Sequence, residues 1–206
     1  GGPLPVSDWR HHDPLSEAFV VAAAETGIPT NPDFNGETQE GAGFFQTTTT
    51  RGRRASTAFS YLRPAMKRSN LHVETSALAQ RILFEGRRAV AVEYRQEGRL
   101  RVAKARREIL VSSGAYNSPQ LLQLSGVGPA DLLRSHGIDV VLDAQGVGND
   151  LQDHLQVRLV TRCAQPITLN DVVNSPIRKM LAGAQYAAFR KGPLTIAAGT
   201  SGAFFK

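Results

Sequence analysis

The residues best suited to binding a ligand lie in a short bend, Ser112–Ala115, between an apolar run and a helix. A glycine at the apex, Gly114, allows the backbone to come close to a bound molecule. The N–H groups of Ser113 and Gly114, together with the start of the helix, predict a site for a negatively charged group. From these residues alone, however, a purely structural connection between strand and helix is the favoured interpretation, and a ligand site is the alternative.

Elements on both sides of the bend indicate the kind of ligand. The continuous apolar run at 109–111 predicts a strand that is buried on both faces, as in a parallel sheet. Ser118 and Pro119 predict an N-cap and a first-turn proline for the helix. Open α/β sheets bind nucleotides at the carboxyl ends of their strands, so this arrangement favours a nucleotide.

Short strands with turn signals precede the bend. Segments 71–75, 77–84, 89–95 and 100–105 predict an antiparallel meander, with turns at Glu85-Gly86 and Glu97-Gly98. After the bend, a short helix over 129–136 stops at Gly137, and residues 138–142 predict a further strand.

Helices and loops predominate in the flanking regions. Asp13, Pro14 and Gly27 predict the ends of a helix over 13–27. Residues 28–50 contain so many Pro, Gly and Asn that they predict a long loop. A second helix is expected between Ser175 and Gly192, and the last residues begin a strand. The sides of these helices predicted to pack contain Leu15, Phe19, Ala22 and Ala23 in the first and Ile177, Met180, Leu181, Ala184 and Ala188 in the second.

The composition excludes several classes of protein. The chain has 206 residues, 24 basic and 18 acidic, a formal charge of +6 and 41% hydrophobic residues. These values exclude collagen, a disulfide scaffold and global disorder, and they predict one large domain or two small ones. No apolar run approaches the roughly 18–20 residues of a membrane-spanning helix, and no signal peptide is recognisable. The lone Cys163 is interpreted as a small buried thiol, and we expect a cytoplasmic location.

Two basic clusters, 51–54 and 104–107, could contact an anionic partner. Solvated surface is the favoured interpretation, and a cofactor or substrate phosphate is the first alternative. Neither cluster contains the interleaved aromatic residues that single-strand binders use, so we expect no nucleic-acid partner.

The five histidines do not predict a metal site, because no His, Cys or Asp cluster has ligand spacing. Asp153 and His154 could form a base with its orienting carboxylate. Adjacent residues seldom point at the same reacting atom, so a structural role in their loop is favoured. His72 is expected in a strand and His136 in a last helical turn.

Four stretches together resemble one family. GAYNSPQLLQLSGVG (114–128) is similar to the second signature of the glucose-methanol-choline (GMC) oxidoreductases, flavoenzymes that oxidise alcohols. GGPLPVSD (1–8), RGRRASTAFSYLRPA (51–65) and GVGNDLQDH (146–154) also resemble that family, as does the meander. The resemblance covers nearly the whole chain, and within the family the bacterial choline dehydrogenase-like branch is the most similar.

The resemblance implies a mixed α/β fold with FAD as cofactor. Residues 66–154 would form part of a doubly wound FAD-binding domain with an antiparallel meander. Residues 1–65 and 155–206 would form parts of a substrate domain built from an antiparallel sheet and helices. The family's contacts imply that backbone groups at Ala79 touch the adenine and that Ser113, Gly114 and Ala115 lie against the adenosine. Many relatives have valine where Ala79 stands, which a backbone contact tolerates.

Two family features are missing from this sequence. The GxGxxG fingerprint is absent, and Gly126 and Gly128 follow a helix rather than a strand. The family's catalytic histidine belongs to a C-terminal segment that this chain does not contain, so no catalytic residue is assigned here. We therefore expect the chain to be inactive alone and to have the N- and C-terminal segments of the same enzyme as partners.

The implied reaction is hydride transfer from a small-molecule alcohol to FAD. The alternatives are a non-catalytic module that binds a nucleotide or a partner, a nucleic-acid binder suggested by charge alone, and a lyase that keeps FAD structurally.

Overall fold

The computed structural model describes residues 2–196 and 199–206. The helices are α1 (Pro14–Glu25), α2 (Arg63–Ala65), α3 (Gly114–Leu124), α4 (Ala130–Ser135), α5 (Leu169–Val173) and α6 (Pro176–Phe189), with a π-helical turn at Ala58–Leu62 and a 3₁₀ turn at Pro193–Thr195. The strands are β1 (Gly41–Phe44), β2 (Thr49–Thr50), β3 (Arg53–Arg54), β4 (Ala77–Glu85), β5 (Arg88–Gln96), β6 (Arg99–Lys104), β7 (Val127–Gly128), β8 (Leu142–Asp143) and β9 (Ser201–Phe204). The predicted mixed α/β class is confirmed.

The chain forms two compact units. The first contains the residues up to His72 together with Leu159–Lys206, and the second is Val73–Arg158. The assignment of residues 66–154 to a flavin domain, with substrate-domain portions on both sides, stays a prediction.

In the first unit, α1 begins at the predicted residues. The Asp13 carboxylate accepts hydrogen bonds from the backbone N–H of Ser16, at 3.0 Å, and from its hydroxyl, at 2.5 Å. Gly27 adopts a φ of +92°, which suits the end of a helix. The predicted packing side is only partly covered, because Ala23 is buried whereas Leu15 and Phe19 are exposed.

The prediction of a loop over 28–50 is wrong at β1 and β2. β1 pairs antiparallel with β9, so a partner distant in sequence imposes the strand. Asn31 holds the chain beside β1: it is buried, and its Nδ2 donates to the carbonyls of Thr38 (2.8 Å) and Glu40 (3.1 Å). Gly43 is needed there because a Cβ would overlap the Asn31 carbonyl oxygen. Local composition could not reveal this tertiary pairing.

The last helix, α6, is capped as predicted at Ser175, whose hydroxyl accepts the Arg178 N–H. It ends at Phe189, and Arg190 rather than Gly192 takes the left-handed cap conformation, with φ +53°. The predicted packing side is wrong among the described residues. Ile177 and Met180 are each 68% exposed, and only Ala182 of α6 is buried.

The second unit contains the predicted meander. β4, β5 and β6 form an antiparallel sheet in that order, which confirms the prediction, and Gly86 and Gly98 have positive φ in its turns. Residues 71–75 form no strand, so the predictions of a first strand and of His72 within it are wrong. Arg81 and Glu93, which face each other across β4 and β5, form an ion pair at 2.9 Å.

The predicted buried strand at 109–111 is also wrong. These residues pair with no strand in the described part of the chain, and Leu110 is 80% exposed. A parallel strand forms only beside neighbours that satisfy its backbone. The one parallel pair described is β7 with β8, and the strand predicted over 138–142 is reduced to Leu142–Asp143. The helix predicted to stop at Gly137 is confirmed as α4, with Gly137 at φ +69°.

A single hydroxyl joins β4 to α3. The Ser125 Oγ accepts the Ile82 N–H at 2.7 Å and donates to the Leu121 carbonyl at 2.5 Å. Ser125 and Ile82 are both buried. This bond fixes the end of α3 against the outer edge of the sheet.

Between Leu151 and Thr161 the chain has no regular secondary structure, and every side chain is exposed. Leu155 is 97% exposed, and Val157, Leu159 and Val160 are at least 81% exposed. None of the described helices is long and apolar enough to cross a membrane.

The Asp13 cap predicts a pH-dependent stability. Burial raises the pKa of Asp13, but the hydrogen bonds from Ser16 outweigh this and hold it below the ordinary value of 3.8. Its stabilising effect is therefore complete above the unfolded-state pKa and is lost as the pH falls through the folded-state pKa. Asp13→Ala should lower the free energy of unfolding by about 1 kcal/mol near neutral pH. Urea unfolding at neutral and at acidic pH, for the wild type, Asp13→Ala and the uncharged cap Asp13→Asn, measures both the loss of stability and its pH dependence. An unchanged stability of Asp13→Ala would contradict the assigned cap.

The Ser125 bridge predicts a larger loss. Ser125→Ala leaves the buried Ile82 N–H without an acceptor, which should cost about 1–3 kcal/mol of unfolding free energy. The matched control is Ser135→Ala, which removes an exposed hydroxyl that donates to the Leu132 carbonyl at 2.7 Å. That control should change stability by less than about 0.5 kcal/mol. Equal effects of the two variants in chemical denaturation would refute the role given to Ser125.

Candidate functional site

The bend predicted to bind a ligand lies at the N-terminus of α3. Ser113 is the N-cap, and Gly114 is the first helical residue, with φ +85°. A Cβ placed on Gly114 would meet no atom of the described chain within 4 Å, so space beside the backbone is open. Glycine is needed here for its φ and leaves room for a bound group.

Not every amide of the bend is free. The Ser113 N–H donates to the Ser118 Oγ at 3.0 Å, which removes one predicted donor. The start predicted for the helix at Ser118-Pro119 is wrong, because both residues lie inside α3. The left-handed conformation of Gly114 lets the helix begin five residues earlier, and the Ser118 hydroxyl accepts a hydrogen bond from the bend instead of capping the helix.

The first turn of α3 keeps its capacity for a polar ligand. No side chain of the described residues caps the helix at Ser113, so the amides of Gly114 and Ala115 face outward from a helix N-terminus. Their partial positive charge favours a polar or negatively charged group. Tyr116, 73% exposed, offers an apolar surface beside them.

Ala79 lies on β4, in register with Tyr94 of β5. β4 is an edge strand, so the backbone groups on its outer side have no strand partner among the described residues. The pairing register shifts between Ala79 and Arg81. Ala79 and the Ser113–Ala115 bend thus lie on two packed elements of one unit, but the Ser125 bond that joins these elements is at the opposite end of α3 from Gly114.

A cavity of about 560 Å³ lies beside the bend. α3 lines one side through Ala115 and Tyr116, and the loop 146–151 lines the other. Gln123 holds that loop by donating from Nε2 to the Val147 carbonyl at 3.0 Å. Gly148 has φ +85°, and a Cβ there would press against the Gln123 amide.

The lining residues Tyr116, Gln123 and Gly148 were not predicted as site residues. The GVGND motif contained a usable signal, since Gly146 and Gly148 are spaced as in a turn that approaches another segment closely. Nothing in the sequence indicated that this segment is α3.

The Asp153–His154 pair does not form a catalytic dyad. The Asp153 carboxylate accepts the backbone N–H of His154 at 2.7 Å, a local bond that leaves the imidazole out. Both residues are exposed. No group of three or more His, Cys, Asp or Glu within residues 2–196 and 199–206 is arranged to hold a metal ion. Cys163 is half-buried and free.

The Ser113–Ala115 bend has the features that the predicted contact with an adenosine group requires. It combines open space at Gly114, outward amides at the start of α3 and an exposed aromatic ring. These features suit a ligand with polar edges and a flat apolar face. That FAD is the ligand of this bend stays a prediction.

Comparison with known families matches residues 1–156 to the GMC oxidoreductases. The chain is 48% identical over 185 residues to the mitochondrial choline dehydrogenase of Mus musculus. This alignment covers 90% of this chain and 31% of the mouse protein. It is 44% identical over 191 residues to the oxygen-dependent choline dehydrogenase of Brucella anthropi, which covers 93% of this chain and 34% of that protein. The chain spans about a third of the length of these relatives.

Solved structures give the same result. An FAD-dependent oxidoreductase from Chaetomium thermophilum superimposes with a TM-score of 0.83 at 26% identity, covering 98% of this chain and 36% of that one. A formate oxidase variant from Aspergillus oryzae reaches a TM-score of 0.84 at 25% identity, covering 98% and 35%. Because the family match covers most of the sequence, the chain belongs to the GMC oxidoreductases, as its motifs predicted.

Proposed function

We propose that this chain is part of an FAD-dependent enzyme that oxidises the CH–OH group of a small alcohol related to choline. The observation that carries the proposal is the identity of 44–48% to choline dehydrogenases over at least 90% of the chain. FAD agrees with the flavin-dependent oxidoreductase among the structural relatives. When bound, FAD supplies the acceptor for a hydride from the carbinol carbon.

The contribution of this chain is to hold the adenosine end of FAD. Gly114 and Ala115 present backbone amides at the start of α3, and Ser113 ends the preceding segment with its own amide satisfied internally. Ala79 contributes backbone groups from edge strand β4. In this proposal these four residues bind and orient the cofactor, and none of them exchanges a proton with the alcohol.

The domain assignment follows from the same proposal. The unit Val73–Arg158 contains all four proposed contacts, which supports its assignment to the flavin domain predicted over 66–154. The flanking residues are then substrate-domain portions. Because the relatives are about three times as long, we expect turnover to need the rest of such an enzyme, including a catalytic base. The cytoplasmic location stays a prediction, since one relative is described as mitochondrial.

Gly114→Val tests the proposed contact. Valine at φ +85° is strained and places its side chain in the space assigned to FAD. We suggest replacing the matching segment of the Brucella anthropi relative with this chain and measuring bound flavin and choline oxidation after purification. The valine variant should lose most of its flavin.

The control is Gly183→Ala on α6, where a Cβ meets nothing within 4 Å and the φ is ordinary. It should retain both flavin and activity. Full flavin occupancy in Gly114→Val would refute the proposed contact between the bend and FAD. A hybrid that binds flavin but does not oxidise choline would leave that contact unaffected and would refute the proposed substrate.

A further inference from the structure

We propose that the first unit contains a binding site for a small oxyanion, a carboxylate or a phosphate, in a second cavity. This cavity has a volume of about 650 Å³ and lies among the N-terminal segment, the β2–β3 hairpin and α6. None of its lining residues is among the four proposed to hold FAD. Its lining residues include Arg10, Arg54, Trp9 and three consecutive threonines at 47–49.

Positive charge at the cavity is not neutralised by neighbouring carboxylates. The ion pairs among the described residues join His12 to Glu17, Arg81 to Glu93 and Arg134 to Asp131, so neither Arg10 nor Arg54 has an acidic partner there. Asp8 is the only acidic residue that lines the cavity, and its Oδ1 accepts from Gln46 Nε2 at 3.2 Å. The cavity is thus lined by two arginines and one aspartate, which leaves it net positive.

One of the lining residues, Trp9, carries a buried donor without a partner. The Trp9 Nε1–H is buried and has no hydrogen-bond acceptor among the described residues. A buried polar group in a native protein normally has a partner, and an indole N–H can only donate. The nitrogen is enclosed by protein atoms, and Trp9 also lines a neighbouring cavity, so an anion oxygen would accept this hydrogen bond only after the indole turns toward the 650 Å³ cavity.

The hairpin places the arginines by a close backbone approach. Gly52 has φ +70°, and the Arg10 Nη1 lies 3.2 Å from the position that a Gly52 Cβ would occupy. The Tyr186 hydroxyl donates to the Gly52 carbonyl at 3.3 Å, and the Arg190 guanidinium lies 4.8 Å from the Tyr186 ring centroid. The hairpin is therefore attached to α6, with a third cation near the cavity.

Neighbouring residues of β3 supply a matched pair of variants. Arg54 lines the cavity and Arg53 does not, as expected for adjacent residues of a strand, whose side chains alternate between faces. Both are exposed arginines on the same two-residue strand. Arg54→Gln and Arg53→Gln remove the same charge, but only the first removes a donor from the site.

Trp9 is the only tryptophan of the chain and lines this cavity, so its fluorescence should respond to an anion bound there. We suggest titrating the 206-residue chain with inorganic phosphate and, separately, with acetate, while chloride keeps the ionic strength constant. A saturable change in Trp9 emission is expected with at least one of them, and the tighter of the two identifies the ligand chemistry. Arg54→Gln should weaken binding about tenfold, the loss of one charge-assisted hydrogen bond, and Arg53→Gln less than about twofold.

Circular dichroism checks that each variant is folded, and Arg10→Gln replaces Arg54→Gln if that variant is not. The proposal is overturned if neither anion produces a saturable change, or if the Arg53 and cavity-arginine variants weaken binding equally. Equal weakening would mean that the anions respond only to the overall charge of the surface.

Discussion

The second unit depends on one hydroxyl group that serves two elements at once. Ser125 accepts a hydrogen bond from the backbone of β4 and donates one to the last turn of α3. Because Ile82 is buried at an edge strand, its N–H has neither water nor a neighbouring strand as an alternative partner. The sheet and the helix whose start forms the candidate site are thereby held in one arrangement.

Around this bond, the site is built from elements that are short and individually weak. α3 has eleven residues and includes Pro119, which breaks the regular pattern of helical hydrogen bonds. A helix of this length gains its stability from packing rather than from its own bonds. Gln123 adds a second attachment, to the 146–151 loop, so α3 is fixed on two sides while its N-terminus stays open.

Features governed by local chemistry could be predicted from the sequence. The ends of α1, the turns at Gly86 and Gly98, and the family motifs all depend on a few adjacent residues, and the structure or the comparisons confirm them. Features governed by distant partners could not. β1 forms because β9 lies beside it. Residues 109–111 form no strand because none of the described strands lies beside them. For the candidate site, sequence predicted the bend, but the Ser113–Ser118 bond and the neighbouring loop depend on three-dimensional proximity.

The exposed stretch after Leu151 has a consequence for handling the protein. From Leu155 to Leu159, apolar residues alternate with Gln156 and Arg158, which is the pattern of a strand with one apolar face. Its backbone has no regular secondary structure and no strand partners in the described structure, so it can pair with an open strand edge, including that of another molecule. Arg158 and Arg162 oppose such stacking by mutual repulsion. Self-association of this chain in solution should therefore increase with salt, which screens those charges and strengthens apolar contact.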